Sequence, residues 1–210
     1  MSETVRLKLS TWNTRLWFAM SARRRCLDIE VRLFLPGAED QPLFDKVCEA
    51  LGIIAQYSPT RLQRIRQDRR GLWITETAGN VAEYHHNVGL CLLDRSQLAK
   101  ADVSPAHVAA TIVHKATHAR LTLAGFGYEP EMRARIENVC FRGEIAFASR
   151  LPDGTAIIEQ ARRQLERDPV VWTREAARDR ATTKLRELGV PEWLIKLIIR
   201  VRKTRDSLGF

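Results

Sequence analysis

The feature that most constrains this chain is a pair of histidines, His114 and His118, inside an apolar segment with helical periodicity. Residues 104–123 read SPAHVAATIVHKATHARLTL, in which Ser104 can cap a helix and Pro105 suits its first position. A spacing of four residues puts both imidazoles on one helix face, close enough to share a metal ion. A separate arc of the same helix is apolar and predicts a core contact through Val108, Ile112, Ala116, Ala119 and Leu123.

The histidine helix resembles the zinc helix of the zincin metallopeptidases, whose motif is His-Glu-x-x-His. It stands here as His114-Lys115-Ala116-Thr117-His118. Both ligand positions match the motif, whereas Lys115 occupies the position of the catalytic glutamate. Two histidines at this spacing are, on their own, more often incidental than metal-binding. The prediction of a metal site therefore depends on the segments on either side of the helix.

Short β-like runs precede the helix, as they do in the N-terminal subdomain of a zincin. The runs GLWITET (71–77), VAEYHH (81–86) and VGLCLLD (88–94) are rich in β-branched and aromatic residues, and Gly79-Asn80 is typical of a turn. The resemblance implies a small antiparallel sheet beside the histidine helix. It also implies that the strand nearest the cleft would pair with an extended peptide or protein substrate.

The segment after the helix supplies a candidate third ligand. A turn at 125–128 leads into a second helical segment, PEMRARIENVCFRGEIAFASRL (130–151). In the gluzincin branch of the family, the third zinc ligand is a glutamate about twenty residues after the second histidine. Glu137 stands at that place, with Glu144 as the alternative, so the resemblance implies zinc bound by both histidines and Glu137. A plain salt bridge between Glu137 and Arg133 is the competing interpretation.

Lys115 alters the chemistry that the resemblance implies. The motif glutamate is the general base of a zincin, and losing such a base costs about 10²–10⁴-fold in rate. A lysine, with a reference pKa of about 10.4, is a cation without an acceptor, and it would weaken zinc binding by repulsion. We therefore expect proteolysis to be impaired or absent, with Tyr128 as a candidate oxyanion donor. The sequence leaves open whether the chain is a native pseudoenzyme or a hydrolase inactivated by substitution.

The positive charge of the chain suggests a second, non-enzymatic function. Its 210 residues carry a formal net charge of +9, with consecutive arginines at Arg23, Arg24 and Arg25. A basic surface can bind nucleic acid or another anionic partner, although arginines on solvated faces explain the same charge. The segment 191–203, PEWLIKLIIRVRK, is basic and amphipathic, so it either contacts a membrane surface peripherally or packs on its own protein.

The order of elements predicts an α+β fold that is mostly helical, with a small antiparallel sheet packed near the two metal-site helices. A helical pattern at 41–57 and an alternating, strand-like pattern at 27–33 come before the sheet. We expect a basic helical region at 1–70, a zincin-like core at 71–150 and a helical extension at 151–210, together forming one compact domain.

The four cysteines, Cys26, Cys48, Cys91 and Cys140, are scattered without a Cys-x-x-Cys pair. Because buried free cysteine behaves as a small apolar residue, the sequence predicts neither a disulfide framework nor a cysteine metal site. The N-terminus lacks the apolar run of a signal peptide, and no stretch approaches the roughly 18 apolar residues of a membrane span. A cytoplasmic location follows as the default expectation.

Overall fold

The computed structural model describes residues 14–34, 36–37, 40–68, 71–77, 81–85, 88–187 and 189–197. The predicted class, α+β and mostly helical, is confirmed. Contacts group the described residues into two compact units, one ending at Asp168 and the other beginning at Pro169.

The first unit contains a five-stranded sheet with the strand order β1-β2-β3-β5-β4. The strands are β1 (Ala22–Cys26), β2 (Ile29–Leu33), β3 (Gly71–Thr75), β4 (Ala82–His85) and β5 (Leu90–Asp94). The outer pairs β1–β2 and β4–β5 are antiparallel, but β2–β3 and β3–β5 are parallel. The sheet is therefore mixed rather than antiparallel, because a helical crossover joins β2 to β3 and β5 returns between β3 and β4.

Helices account for most of the rest of this unit. Residues 14–20 form α1, and the others are α2 (Gln41–Tyr57), α3 (Pro59–Asp68), α4 (Arg95–Leu98), α5 (Pro105–Leu123), α6 (Pro130–Ala148) and α7 (Thr155–Leu165). The predicted helix at 41–57 and the predicted histidine helix are thus confirmed. The Ser104 hydroxyl caps α5 by accepting a hydrogen bond from the His107 amide at 3.3 Å.

One face of the sheet packs against α2 and α5. Val31, Leu72 and Cys91 are register partners on three neighbouring strands. Because side chains alternate along a strand, these three side chains share this face. They form a core with apolar residues of the two helices, including Val47, Leu51, Val108 and Ile112. The apolar arc predicted for the histidine helix therefore lies in the core, except that Leu123 at the helix end is exposed.

The opposite face carries a smaller aromatic cluster beside α1. The rings of Phe18 and Trp73 meet edge-on at 6.0 Å, and those of Phe34 and Trp73 at 5.9 Å. Arg32 donates from Nη1 to the Phe18 carbonyl at 3.0 Å, and its guanidinium lies 4.8 Å from the Phe18 ring centre. This arginine thus holds the end of α1 on the sheet by donating hydrogen bonds to the carbonyls of Phe18 and Ala19 at that end.

Helices α5 and α6 approach each other closely at Gly143. A Cβ atom at that position would lie 3.2 Å from Thr117 Oγ1, so the glycine allows the close approach. Arg61 Nη1 donates to the Gly143 carbonyl at 2.6 Å, and burial lowers the pKa of this guanidinium. The contact between α3 and α6 therefore fixes the backbone immediately before Glu144.

Two of the cysteines are paired in the structure, which the sequence did not indicate. Cys26 and Cys48 form a disulfide that joins β1 to α2, with Cα atoms 5.4 Å apart. The sequence predicted no disulfide framework, and it did not indicate this single pairing because the two residues are remote in sequence. Cys91 and Cys140 are free and buried.

The second unit is helical in its described part. A 3-10 helix (Pro169–Trp172) precedes α8 (Arg174–Glu187), and residues 192–197 are helical. Arg180 Nη1 donates to the Val171 carbonyl at 2.9 Å, which ties α8 to the 3-10 helix. The predicted turn at Gly79-Asn80 and the end of the predicted terminal helix, 198–203, lie outside the described residues.

Two glycines give a matched test of the fold around α6. A Cβ atom at Gly154 would lie 1.9 Å from the Ala148 carbonyl oxygen, whereas one at Gly52 in α2 would meet nothing within 4 Å. We expect Gly154→Ala to lower the free energy of unfolding by about 3 kcal/mol through backbone displacement. Gly52→Ala should raise it by about 0.5–1 kcal/mol through helix propensity. Urea denaturation measures both, and equal effects would contradict the packing at the end of α6.

Candidate metal centre

Five polar side chains meet between α5 and α6. Helix α5 contributes His114 and His118, and α6 contributes Glu137, Cys140 and Glu144. Spacings of three and four residues keep each set on one helix face, so the two polar stripes oppose each other. The first four residues are at most 7% exposed, which makes this a buried polar cluster.

The two histidines and Glu137, each predicted as a ligand, converge closely. The Nε2 atoms of His114 and His118 are 3.2 Å apart. Glu137 Oε2 lies 3.2 Å from His114 Nε2, and Oε1 lies 3.4 Å from His118 Nε2. Four-coordinate zinc with bonds of about 2.0–2.2 Å separates its nitrogen and oxygen ligands by roughly 3.3–3.6 Å. The observed separations of 3.2–3.4 Å lie at the short end of that spacing, with a different Glu137 oxygen facing each imidazole.

Glu144 has a different position from the one expected of a ligand. Its Oε2 lies 2.9 Å from His114 Nδ1, on the far side of the ring from Glu137. A proton on Nδ1 donated to Glu144 leaves the Nε2 lone pair directed at the cluster. Carboxylates orient metal-binding histidines in this way, so Glu144 suits the role of an orienting partner. Phe141 packs edge-on against the same imidazole, with ring centres 4.5 Å apart.

The donor set fits a metal ion. If the His114 Nδ1 proton is donated to Glu144, its Nε2 lone pair faces a Glu137 carboxylate oxygen, and a shared proton or a shared cation satisfies these two acceptors. The ligand atoms of His114, His118 and Cys140 all lie within 4.8 Å of one another. A buried His-His-Cys group that could hold a metal ion is therefore present, with Glu137 against it. Nitrogen, sulfur and carboxylate ligands are those that zinc uses.

Tyr128 contacts the cluster from the loop between the two helices. Its hydroxyl donates a hydrogen bond to Glu137 Oε1, and its ring lies 5.6 Å from that of His118. Burial raises the pKa of Tyr128, and the neighbouring Glu137 adds to the effect. The Tyr128 hydroxyl therefore contacts Glu137, one of the predicted ligands. The role of Tyr128 as an oxyanion donor stays a prediction.

Burial and the neighbouring groups shift the pKa values of the site residues in opposing directions. Burial raises the pKa of Glu137, but hydrogen bonds from His114 and His118 outweigh it and hold that pKa well below its usual range. Burial, together with the half-buried Lys115, lowers the pKa of His118 to about 4. Burial also raises the pKa of the Cys140 thiol, which favours the protonated form without a metal.

Cys140 is the residue of this group that the sequence did not predict, and the group bears on the expectation of no cysteine metal site because it could hold a metal ion. It follows Glu137 by three residues, a spacing that shares one helix face. That spacing was the available signal, but an isolated buried cysteine is ordinary core material.

Comparisons with known proteins give no family for this chain. No protein-family model matches it, and neither a curated protein nor a solved structure does so significantly. Within the described part of the chain, no helix combines the length and apolar character needed to cross a membrane.

The position of His118 predicts an unusual titration in the metal-free protein. NMR should give it a pKa near 4, and Lys115→Gln should raise that pKa, while the control Lys100→Gln should not. The unfolded chain, with a histidine pKa of about 6.5, binds a proton that the folded site excludes. Stability from this group is therefore complete above about pH 6.5 and is lost as the pH falls toward 4. A pKa of 6.5 or higher would contradict the burial of the ring.

Proposed function

We propose that this chain is a zincin-like, zinc-binding protein that holds zinc through His114, His118 and Glu137 and has little or no peptidase activity. The observation that carries the proposal is the convergence of two imidazole nitrogens and a carboxylate at 3.2–3.4 Å in a buried site. The Glu144 contact to His114 Nδ1 supports it, because it orients the ring for binding through Nε2.

Lys115 supports the second half of the proposal. When bound, zinc in a hydrolytic site polarises a carbonyl and acidifies water, but a separate group must accept the proton. Lys115 is a cation close enough to lower the pKa values of His118 and Glu137. An ammonium has no acceptor, so it does not replace a carboxylate base.

The sheet beside α5 is compatible with a peptide or protein partner. Strand β4 lies at one edge of the sheet and pairs only with β5 among the described strands. An extended peptide segment adds to a sheet at an edge strand. We therefore propose that β4 binds a peptide or protein segment without cleavage.

The alternative function, binding of nucleic acid or another anion through β1, receives less support. Arg24 pairs with Asp45, and Arg25 and Arg66 each lie within 4 Å of Asp28. A cavity of about 480 Å³ beside these arginines is lined by Glu30 as well as Asp28. Acidic groups therefore offset part of the positive charge.

Metal content tests the proposal directly. We expect about one zinc ion per purified chain, measured by elemental mass spectrometry after dialysis, because the ligands form one site. His118→Ala should remove the bound zinc. His85→Ala is the matched control, since His85 lies in β4 and contacts Glu83 rather than the cluster. Zinc retained by the first variant and lost by the second would place the metal elsewhere and refute the assignment.

Lys115 provides a second, quantitative test. Lys115→Gln should tighten zinc binding about tenfold by removing a like charge, and Lys115→Glu should tighten it further, where each tenfold step is about 1.4 kcal/mol. Competition with a fluorescent chelator measures both affinities. The control Lys100→Gln removes a charge outside the cluster and should leave the affinity unchanged. Weaker binding in both Lys115 variants would show that the lysine helps the site instead of opposing the metal.

A further inference from the structure

We propose that the Cys140 thiolate is a fourth ligand of the same ion, which closes the site and makes the metal a structural link between α5 and α6. This inference rests on the proposed function. It adds that no coordination position remains for a water molecule or substrate.

The position of Cys140 carries the first step. Its side chain is fully buried, it forms no disulfide, and its sulfur lies within 4.8 Å of ligand nitrogens from both histidines. It shares the inward face of α6 with Glu137 because the two are three residues apart. The thiol and the Glu137 carboxylate therefore both lie close to the two imidazoles that would hold the metal.

The number of ligands decides what the metal can do. Structural zinc sites use four protein ligands, whereas catalytic sites keep one position for water or substrate. Two imidazoles, one carboxylate and one thiolate complete four. The metal then ties α5 to α6 and activates no water, whatever residue occupies position 115.

Charge balance supports the same assignment. A divalent ion with two neutral imidazoles and one carboxylate keeps a net positive charge beside the Lys115 ammonium, and like charges repel. A thiolate ligand neutralises that charge, since a metal deprotonates a coordinating thiol. The carboxylate of Glu144, 2.9 Å from His114, adds negative charge nearby. A cysteine ligand therefore makes a lysine at this position tolerable.

Cobalt substitution tests the ligand set without relying on activity. Cobalt(II) bound to a thiolate gives a near-ultraviolet charge-transfer band that nitrogen and oxygen ligands do not produce. We expect this band in the unsubstituted protein and in Cys91→Ala, the control at the other free, buried cysteine. Cys140→Ala should lose the band. It should also bind cobalt about 100-fold more weakly, because the loss of an outer-shell partner alone costs about 10–100-fold and Cys140 is a direct ligand.

The outcomes separate this inference from the proposed function. Cobalt bound by the unsubstituted protein without the thiolate band would overturn the Cys140 assignment and leave the histidine–glutamate site intact. No bound cobalt or zinc at all would overturn both proposals. The spectrum of the unsubstituted protein decides the question even if Cys140→Ala does not fold.

Hydrolysis gives an independent check on closure. Lys115→Glu restores the motif glutamate but leaves four protein ligands, so we expect no chelator-sensitive cleavage of a fluorogenic peptide library by this variant. Cleavage by Lys115→Glu that a chelator abolishes would demonstrate an open coordination position and overturn the closed site.

Discussion

The structure around the candidate site depends on the opposition of two polar stripes in a buried interface between helices. Buried acceptors are unfavourable unless a proton or a cation is shared among them. His114 has a carboxylate on each side, with Glu144 at Nδ1 and Glu137 at Nε2. The interface between α5 and α6 is therefore stabilised only when these groups are collectively satisfied, and their positions are coupled.

The rest of the first unit fixes that interface from both sides. Helix α5 presents one arc to the sheet through Val108 and Ile112, which are almost completely buried, and the histidine arc to α6. Helix α6 is held near Gly143 by the Arg61 hydrogen bond and by the close approach of Thr117. Rigid packing on the far sides lets the polar groups keep their separations, because close-packed interiors deform little.

The local parts of this arrangement could be predicted from sequence, and the non-local parts could not. The helix around His114 and His118 follows from a cap, a proline and a period of 3.6 residues. Glu137 was identified only through the resemblance to zincins. The parallel strand pairs and the Cys26–Cys48 disulfide depend on how distant segments meet, which a single sequence does not encode in any local pattern. The contact of Glu144 with His114 depends in the same way on how α5 and α6 meet.

The electrostatics of the cluster bear on how Lys115 should be interpreted. Beside an open site with three ligands, its ammonium would face a net positive charge and would only weaken the metal. Beside a site that includes the Cys140 thiolate, the metal and its ligands carry no net charge, so the ammonium is repelled less strongly. On this assignment, lysine and cysteine are compatible with each other in a way that lysine and a hydrolytic centre are not. Lys115 and Cys140 are both departures from a peptidase site, and on this assignment they have one physical explanation, a metal that holds α5 and α6 together.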